Sequence, residues 1–231
     1  MHKNLVALAF GVLAACAQHP PAPLSAPGTP PGFPDAYYRQ LASQGAPVMQ
    51  IDPAVSLVAI EVYRGGSLAR LGHDHVVASH DIRGFVAPGA KRADLYVRLD
   101  SLVVDEPALR KEAGFDTQPT DEDIAGTRRN MLNALGAAEF PFALVQVALG
   151  EGRGVHSMRV TVAVHGVERT VDAPVEVEER DGSLVAKGRV ALKQTDFGIT
   201  PLSVLGGAIQ VQDEVHIRFA IRAASGIGAG L

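Results

Sequence analysis

The chain has 231 residues, with 25 acidic against 21 basic side chains, a net charge of −4, and a hydrophobic content of 47%. That length allows one large domain or two small ones with a sizeable core, and the acidic balance argues against nucleic acid and anionic lipid headgroups as partners. Aromatics make up only 5% and Trp is absent, which disfavours a stacking platform for sugars or bases, and nothing in the composition suggests disorder or a repeat array.

The first residues read as a targeting segment rather than as fold. Lys3 supplies a short positive start and residues 5–15 are an apolar run ending in small residues, the layout of a secretory signal too short to span a bilayer as a helix. The run closes on Leu13-Ala14-Ala15-Cys16, which resembles a bacterial lipobox; the resemblance implies lipid attachment at Cys16 after removal of residues 1–15. Cys16 is the only cysteine, so the chain can form no internal disulfide and no thiolate metal cluster. Acyl chains contribute roughly 0.8 kcal/mol per buried CH₂, enough for two or three of them to anchor a protein durably. Ala17 follows the cysteine, and by resemblance to lipoprotein sorting this points to the periplasmic face of the outer membrane. Loss of residues 1–15 removes Lys3 and no acid, leaving 20 basic residues against 25 acidic. Residues 18–34, rich in Pro and Ala, read as a semi-rigid spacer, and residues 35–44 as a short amphipathic helix. The expected organisation is therefore a signal at 1–15, an anchor and spacer at 16–47, a barrel domain at 48–223 and a flexible tail at 224–231.

From Val48 onward the pattern has period two. Ala93, Leu95, Val97 and Leu99 alternate with Asp94, Tyr96, Arg98 and Asp100; Met158, Val160, Val162 and Val164 alternate with polar partners, as do Val215, Ile217, Phe219 and Ile221. Such segments are strands with one buried face, the mark of antiparallel sheet. Further strands are expected at 56–63, 81–87, 143–149, 170–178 and 184–192. Arg180-Asp181-Gly182-Ser183 is a hairpin signal and His165-Gly166-Val167 a tight bend. About eight strands without β–α alternation predict an all-β antiparallel barrel or sandwich, with closure preferred because it removes exposed edges. One region departs from the period. Pro107 opens a short helix over 107–113, and Thr120-Asp121-Glu122-Asp123 starts a second that runs through Met131, Leu132 and Leu135 before Phe140-Pro141-Phe142 returns to sheet. This short helical excursion between strands is expected to lid one end of the barrel.

Three stretches together resemble the YceI-like family. They are Arg129-Asn130-Met131-Leu132 with Glu139-Phe140-Pro141, then residues 162–171 around His165-Gly166, and finally Gln194-Thr195-Asp196-Phe197-Gly198-Ile199 followed by residues 211–215. The resemblance implies an extended lipocalin-like barrel and a bound polyisoprenoid, quinone or similar amphiphilic lipid rather than catalysis. The candidate lining is Leu95, Val97, Leu99, Met131, Leu132, Leu135, Phe140, Phe142, Val160, Val162, Phe197, Ile199 and Phe219, with Phe140 and Phe197 better placed to brace turns. Alternation alone does not distinguish such lining from a dry core.

The segment His73-Asp74-His75 through His80-Asp81 is the most chemical-looking. On a strand His73 and His75 share a face, so they are candidates to bind the polar head of a ligand. With His80 or a carboxylate they are also weak candidates for a metal site, since spacing fixes no third ligand. No nucleophile elbow, phosphate loop, dinucleotide glycine pattern or His-Glu-X-X-His is present. The rival readings are a metal- or haem-linked redox or stress accessory built on His73, His75 and His80, and a ligand-free structural module of the envelope. The sequence names no protein partner.

Overall fold

The computed structural model describes residues 28–150, 154–180 and 182–225; Cys16, the signal, most of the spacer and residues 226–231 lie outside them. Twelve strands form one antiparallel sheet: β1 (Met49–Ile51), β2 (Leu57–Gly65), β3 (His75–Ser79), β4 (Ile82–Ala87), β5 (Arg92–Arg98), β6 (Val103–Val104), β7 (Phe142–Ala148), β8 (Gly154–Val164), β9 (Val167–Arg180), β10 (Ser183–Lys193), β11 (Ser203–Val204) and β12 (Ile209–Ser225). The sheet closes because β1 pairs with both β4 and β12, giving a barrel of eight strands in the order β1-β4-β5-β7-β8-β9-β10-β12. Strands β2, β3 and β6 continue from β12 and extend one end of the wall. Leu99, expected at the end of a strand, instead opens a 3₁₀ turn after β5.

Local chemistry explains the corners. Val164 pairs with Val167 across a two-residue turn, and His165 (φ 55°) and Gly166 (φ 71°) both adopt left-handed backbone, as a type I′ hairpin requires. Arg180 pairs with Ser183 at the other hairpin, whose Asp181 lies outside the described residues. Helix α2 (Pro107–Ala113) carries Pro in its first turn and ends on Gly114 at φ 73°. Helix α3 (Asp121–Ala134) begins with a reciprocal capping box between Thr120 and Asp123. Helix α1 (Asp35–Ser43) lies on the outer wall, with Tyr38 fully buried against Val48, Phe85 and Ala87. Among the described residues no helix is long and apolar enough to cross a membrane.

The base of the barrel is a packed core in which Met49, Ile51, Ile82, Val86, Ala93 and Ala223 are buried. A second packed region lies under α3, whose Ile124, Met131, Leu132 and Leu135 meet buried Val77, Leu99, Leu102 and Val104. Helix α2 covers the outside of β2 and β3 through Leu109, against Ala59, Val76 and Ala78.

Candidate functional site

Strand register decides which side chains face the interior. On β5 and β7, Leu95 opposes Val145 and Val97 opposes Ala143; on β8 and β9, Val160 opposes Val171; on β10 and β12, Leu192 opposes Val215, Val190 opposes Ile217 and Gly188 opposes Phe219. Low on this wall Met158, Ala173 and Val175 are buried. Higher up, Val160, Val162, Val164, Val171, Val190, Leu192, Val215 and Ile217 are only half-buried although the wall closes around them. Val160 and Val190 still pack on the Met158 cluster. Among the described residues, Val162, Val164, Val171, Leu192, Val215 and Ile217 pack on none of the buried clusters, so this part of the interior is less tightly filled than the base.

The expected lining sorts into three groups. Leu95, Val97, Val160, Val162 and Phe219 point inward, and Leu99, Met131, Leu132 and Leu135 lie in the cluster under α3. Phe140 and Phe197 instead belong to a latch at the extended end, and Ile199 is buried just after it in the chain. The Phe140 ring packs edge-on to His165 with centroids 5.8 Å apart, and His165 Nδ1 lies 3.1 Å from the Phe197 carbonyl oxygen. A side chain at Gly166 would meet the Phe140 ring at 2.7 Å. The three stretches that resemble the family therefore converge, and their job at this point is structural. Phe142 is a correction. It pairs with Arg98, one residue out of step with the inward Ala143–Val97 pair, and its ring packs on Tyr96 on the outer wall.

His80 separates from the other two histidines. His75 opens β3 on its inward face, opposite Val62. Its Nδ1 lies 2.6 Å from Oδ2 of Asp105, and its Nε2 lies 3.4 Å from Thr127 Oγ1 on α3. Asp105 has no exposed side-chain surface and a backbone φ of 60°, a strained value for a residue with a side chain. It accepts from the Val76 amide at 3.0 Å and from Arg110 Nη1 at 2.6 Å. Burial alone would raise its carboxyl pKa, but His75, the Val76 amide and Arg110 together hold it below the usual range. Arg110 is itself used up by the carbonyls of Asp74 and Thr117. His73 precedes the strand, its ring centroid 6.1 Å from that of His75 and its Nε2 3.9 Å from Asp123. Its Nδ1 is buried with no hydrogen-bond partner among the described residues. His80 turns away to Glu106 at 2.8 Å. His73 and His75 thus form an edge-on pair from which His80 is separate, and among the described residues no group of three His, Cys, Asp or Glu side chains is placed to hold a metal ion.

Asp105, Arg110 and Thr127 were not foreseen; nothing local in the sequence pairs them with His75. A second buried polar site, also unforeseen, lies on the outer wall. Asp94 accepts from Tyr38 Oη at 2.6 Å, from Arg92 Nε at 2.6 Å and from Gln146 Nε2 at 3.1 Å. Burial raises its pKa, yet these donors hold it below the ordinary carboxylate value, while burial and Asp94 push the Tyr38 phenol well above its own. This cluster fastens α1 to the barrel.

The sequence profile of the YceI-like domain matches residues 50–223. The chain belongs to the YceI-like family. Among solved structures it resembles a polyisoprenoid binding domain from Saccharophagus degradans implicated in plant cell wall breakdown, with a TM-score of 0.56, 14% identity, and coverage of 78% of this chain and 99% of that one. It also resembles BcnA from Burkholderia cenocepacia, with a TM-score of 0.52, 16% identity, and coverage of 75% and 99%. At such identities the likeness establishes the shared barrel. No curated protein sequence matches the chain.

Proposed function

We propose that this YceI-like barrel binds one amphiphilic lipid of the isoprenoid or quinone class, with its tail inside the wall and a neutral polar head beside His75. The observation that carries this reading is the contrast within the interior: Val162, Val171, Leu192 and Ile217 face inward yet stay half-buried, while the base below them is packed. Burying an apolar tail there contributes about 0.8 kcal/mol per CH₂, so each five-carbon unit adds roughly 3–4 kcal/mol before the cost of ordering the chain. A pocket of this kind needs few polar anchors. The polyisoprenoid binding named for the Saccharophagus domain supports the same class of ligand.

The surroundings of His75 favour a neutral head over a phosphate. Arg110 is held by Asp105 and two carbonyls, and Arg64 is held by Asp116 and the Gly72 carbonyl. What remains near the two imidazoles is the carboxylate of Asp123. A hydroxyl or carbonyl suits that setting, whereas a diphosphate would meet the Asp123 carboxylate while the Arg64 and Arg110 guanidinium groups are already engaged.

The tether is part of the same proposal. Leu13-Ala14-Ala15-Cys16 supports lipid attachment at Cys16, placing the barrel on the periplasmic face of a membrane, by its Ala17 the outer one. The reading is one of binding rather than catalysis.

Organic extraction of protein purified from membranes, followed by mass spectrometry, tests the ligand. A stoichiometric prenylated or similarly apolar molecule is the expected result. Repeated recovery of protein with no apolar molecule would overturn it in favour of a ligand-free structural module. Radiolabelled palmitate incorporated by the native chain and absent from Cys16→Ser tests the tether.

A further inference from the structure

The barrel is closed in topology but not zipped along its whole height. The ladder between β9 and β10 runs from Arg180↔Ser183 only as far as Val175↔Gly188. Beyond that point both strands persist. β9 stays paired with β8 to the Val164↔Val167 turn, and β10 stays paired with β12 to Lys193↔Glu214. Residues 167–174 and 189–193 therefore present facing strand edges with no ladder between them.

The sequence builds the end of the ladder. Pro174 has no N–H to give, and proline in a strand marks an edge. Opposite it, a side chain at Gly188 would come within 2.5 Å of both the Pro174 carbonyl oxygen and the Phe219 ring, so the two strands touch there and part above. The far end is tied shut where the turn after β10 reaches His165 through the Phe197 carbonyl at 3.1 Å. The result is a slit bounded at both ends. Val171, Val190 and Leu192 on its two edges face inward and are half-buried. On the outer wall an amphipathic groove of about 480 Å³ begins at its foot, lined in part by Pro174, Gly188 and Phe219 and by the charged Glu176, Lys187 and Arg189.

We infer that this slit is a lateral portal through which a lipid chain passes between the outer groove and the interior. The inference rests on the lipid-binding reading above. Strand edges expose amide and carbonyl groups that must find partners, and here water can supply them. In a fully zipped wall, passage of a chain would break a ladder bond at every second residue, each costing about 1 kcal/mol net and more while unsatisfied. Across residues 167–174 and 189–193 no such bonds stand in the way. The alternative route, over the extended end, is flanked by α3 on one side and by the Phe140–His165–Phe197 latch on the other.

The test uses the full-length chain in detergent with Cys16→Ser, Asp172→Cys and Ala191→Cys. The engineered positions are exposed and face each other across the slit if the β9–β10 register is continued. A short bifunctional thiol reagent clamps the slit, verified by mass, and uptake of a fluorescent long-chain polyprenol is timed before and after. Clamping is expected to slow uptake, and release of lipid loaded beforehand, by about tenfold or more, as for other gated sites. Equal rates in both forms overturn the portal and leave lipid binding intact; no uptake by either form overturns the lipid reading and the portal with it. Hydrogen exchange on the unmodified chain decides the slit independently. Alternate amides of 167–174 and 189–193 point to β8 or β12 and stay protected. Those that face the slit, at 168, 170, 172, 189 and 191, are expected to exchange much faster than the laddered 176, 178, 185 and 187, and equal protection of the two sets overturns the opening.

Discussion

The base of this barrel and its β8–β9–β10 wall are built from the same kinds of residue, yet they reach opposite ends. At the base, Met49, Ile51, Ile82, Val86 and Ala93 are buried because β1 is stitched between β4 and β12 and draws the strands together. On the β8–β9–β10 wall, Val162, Val164, Val171 and Leu192 alternate just as regularly but remain half-buried, and the neighbouring ladder stops at Gly188. Alternation decides which face is apolar; whether that face is filled depends on what stands across from it. One region is therefore a core, and the other is the part proposed as a container.

Substitutions sharpen this contrast, and the largest effect belongs to the base. Ile82→Ala removes a side chain that is 1% exposed and should lower unfolding free energy by about 3 kcal/mol in urea titrations. A loss under 1 kcal/mol would mean that the base is not packed as described. Asp94→Ala should cost roughly 2–3 kcal/mol by leaving Tyr38 and Gln146 without their acceptor and freeing α1 from the wall. The same group sets a pH dependence. Its folded pKa is depressed, so its stabilisation is complete above the unfolded carboxylate value of about 4 and disappears as pH falls through the folded value. Asp105 acts in the same direction. Acid titration of the wild type should therefore show stability falling below about pH 4, and Asp94→Asn should flatten that fall. Gly166→Ala places a side chain at φ 71° and 2.7 Å from the Phe140 ring, so about 2 kcal/mol should be lost along with the latch. The smallest effect is predicted for Val162→Ala in the open wall, about 1 kcal/mol or less by the same titration, although lipid retention should fall more than stability does.

Much of this fold is legible in the sequence, and the gaps have physical causes. The strands that alternate, the His165-Gly166 turn, the Pro107 helix and the Thr120 capping box each carry a local signal, and each forms. Strand β3 carries none, because it is buried on both faces: Val77 and Ser79 point inward while α2 covers Val76 and Ala78. Its residues read as an apolar run rather than as an alternating strand. An apolar residue entering a strand reads as inward, but at Phe142 the outer wall is itself apolar, with Tyr96 edge-on to Phe142 and Phe33 edge-on to Tyr96. The candidate site was half readable. His75 stands out by its neighbours in the sequence, but Asp105 and Thr127 reach it from 30 and 52 residues away, and only the fold joins them. The opening beside β9 did leave a trace in Pro174, a proline inside an otherwise regular strand.

The central claim is that the upper interior holds a lipid while the base does not. Methyl NMR during titration with a long-chain quinone or polyprenol tests this directly. The account predicts large shifts for Val162, Leu192 and Ile217 methyls, with Ile51, Ile82 and Val86 nearly unmoved. Shifts confined to the outer wall, or spread evenly over both sets, would contradict it.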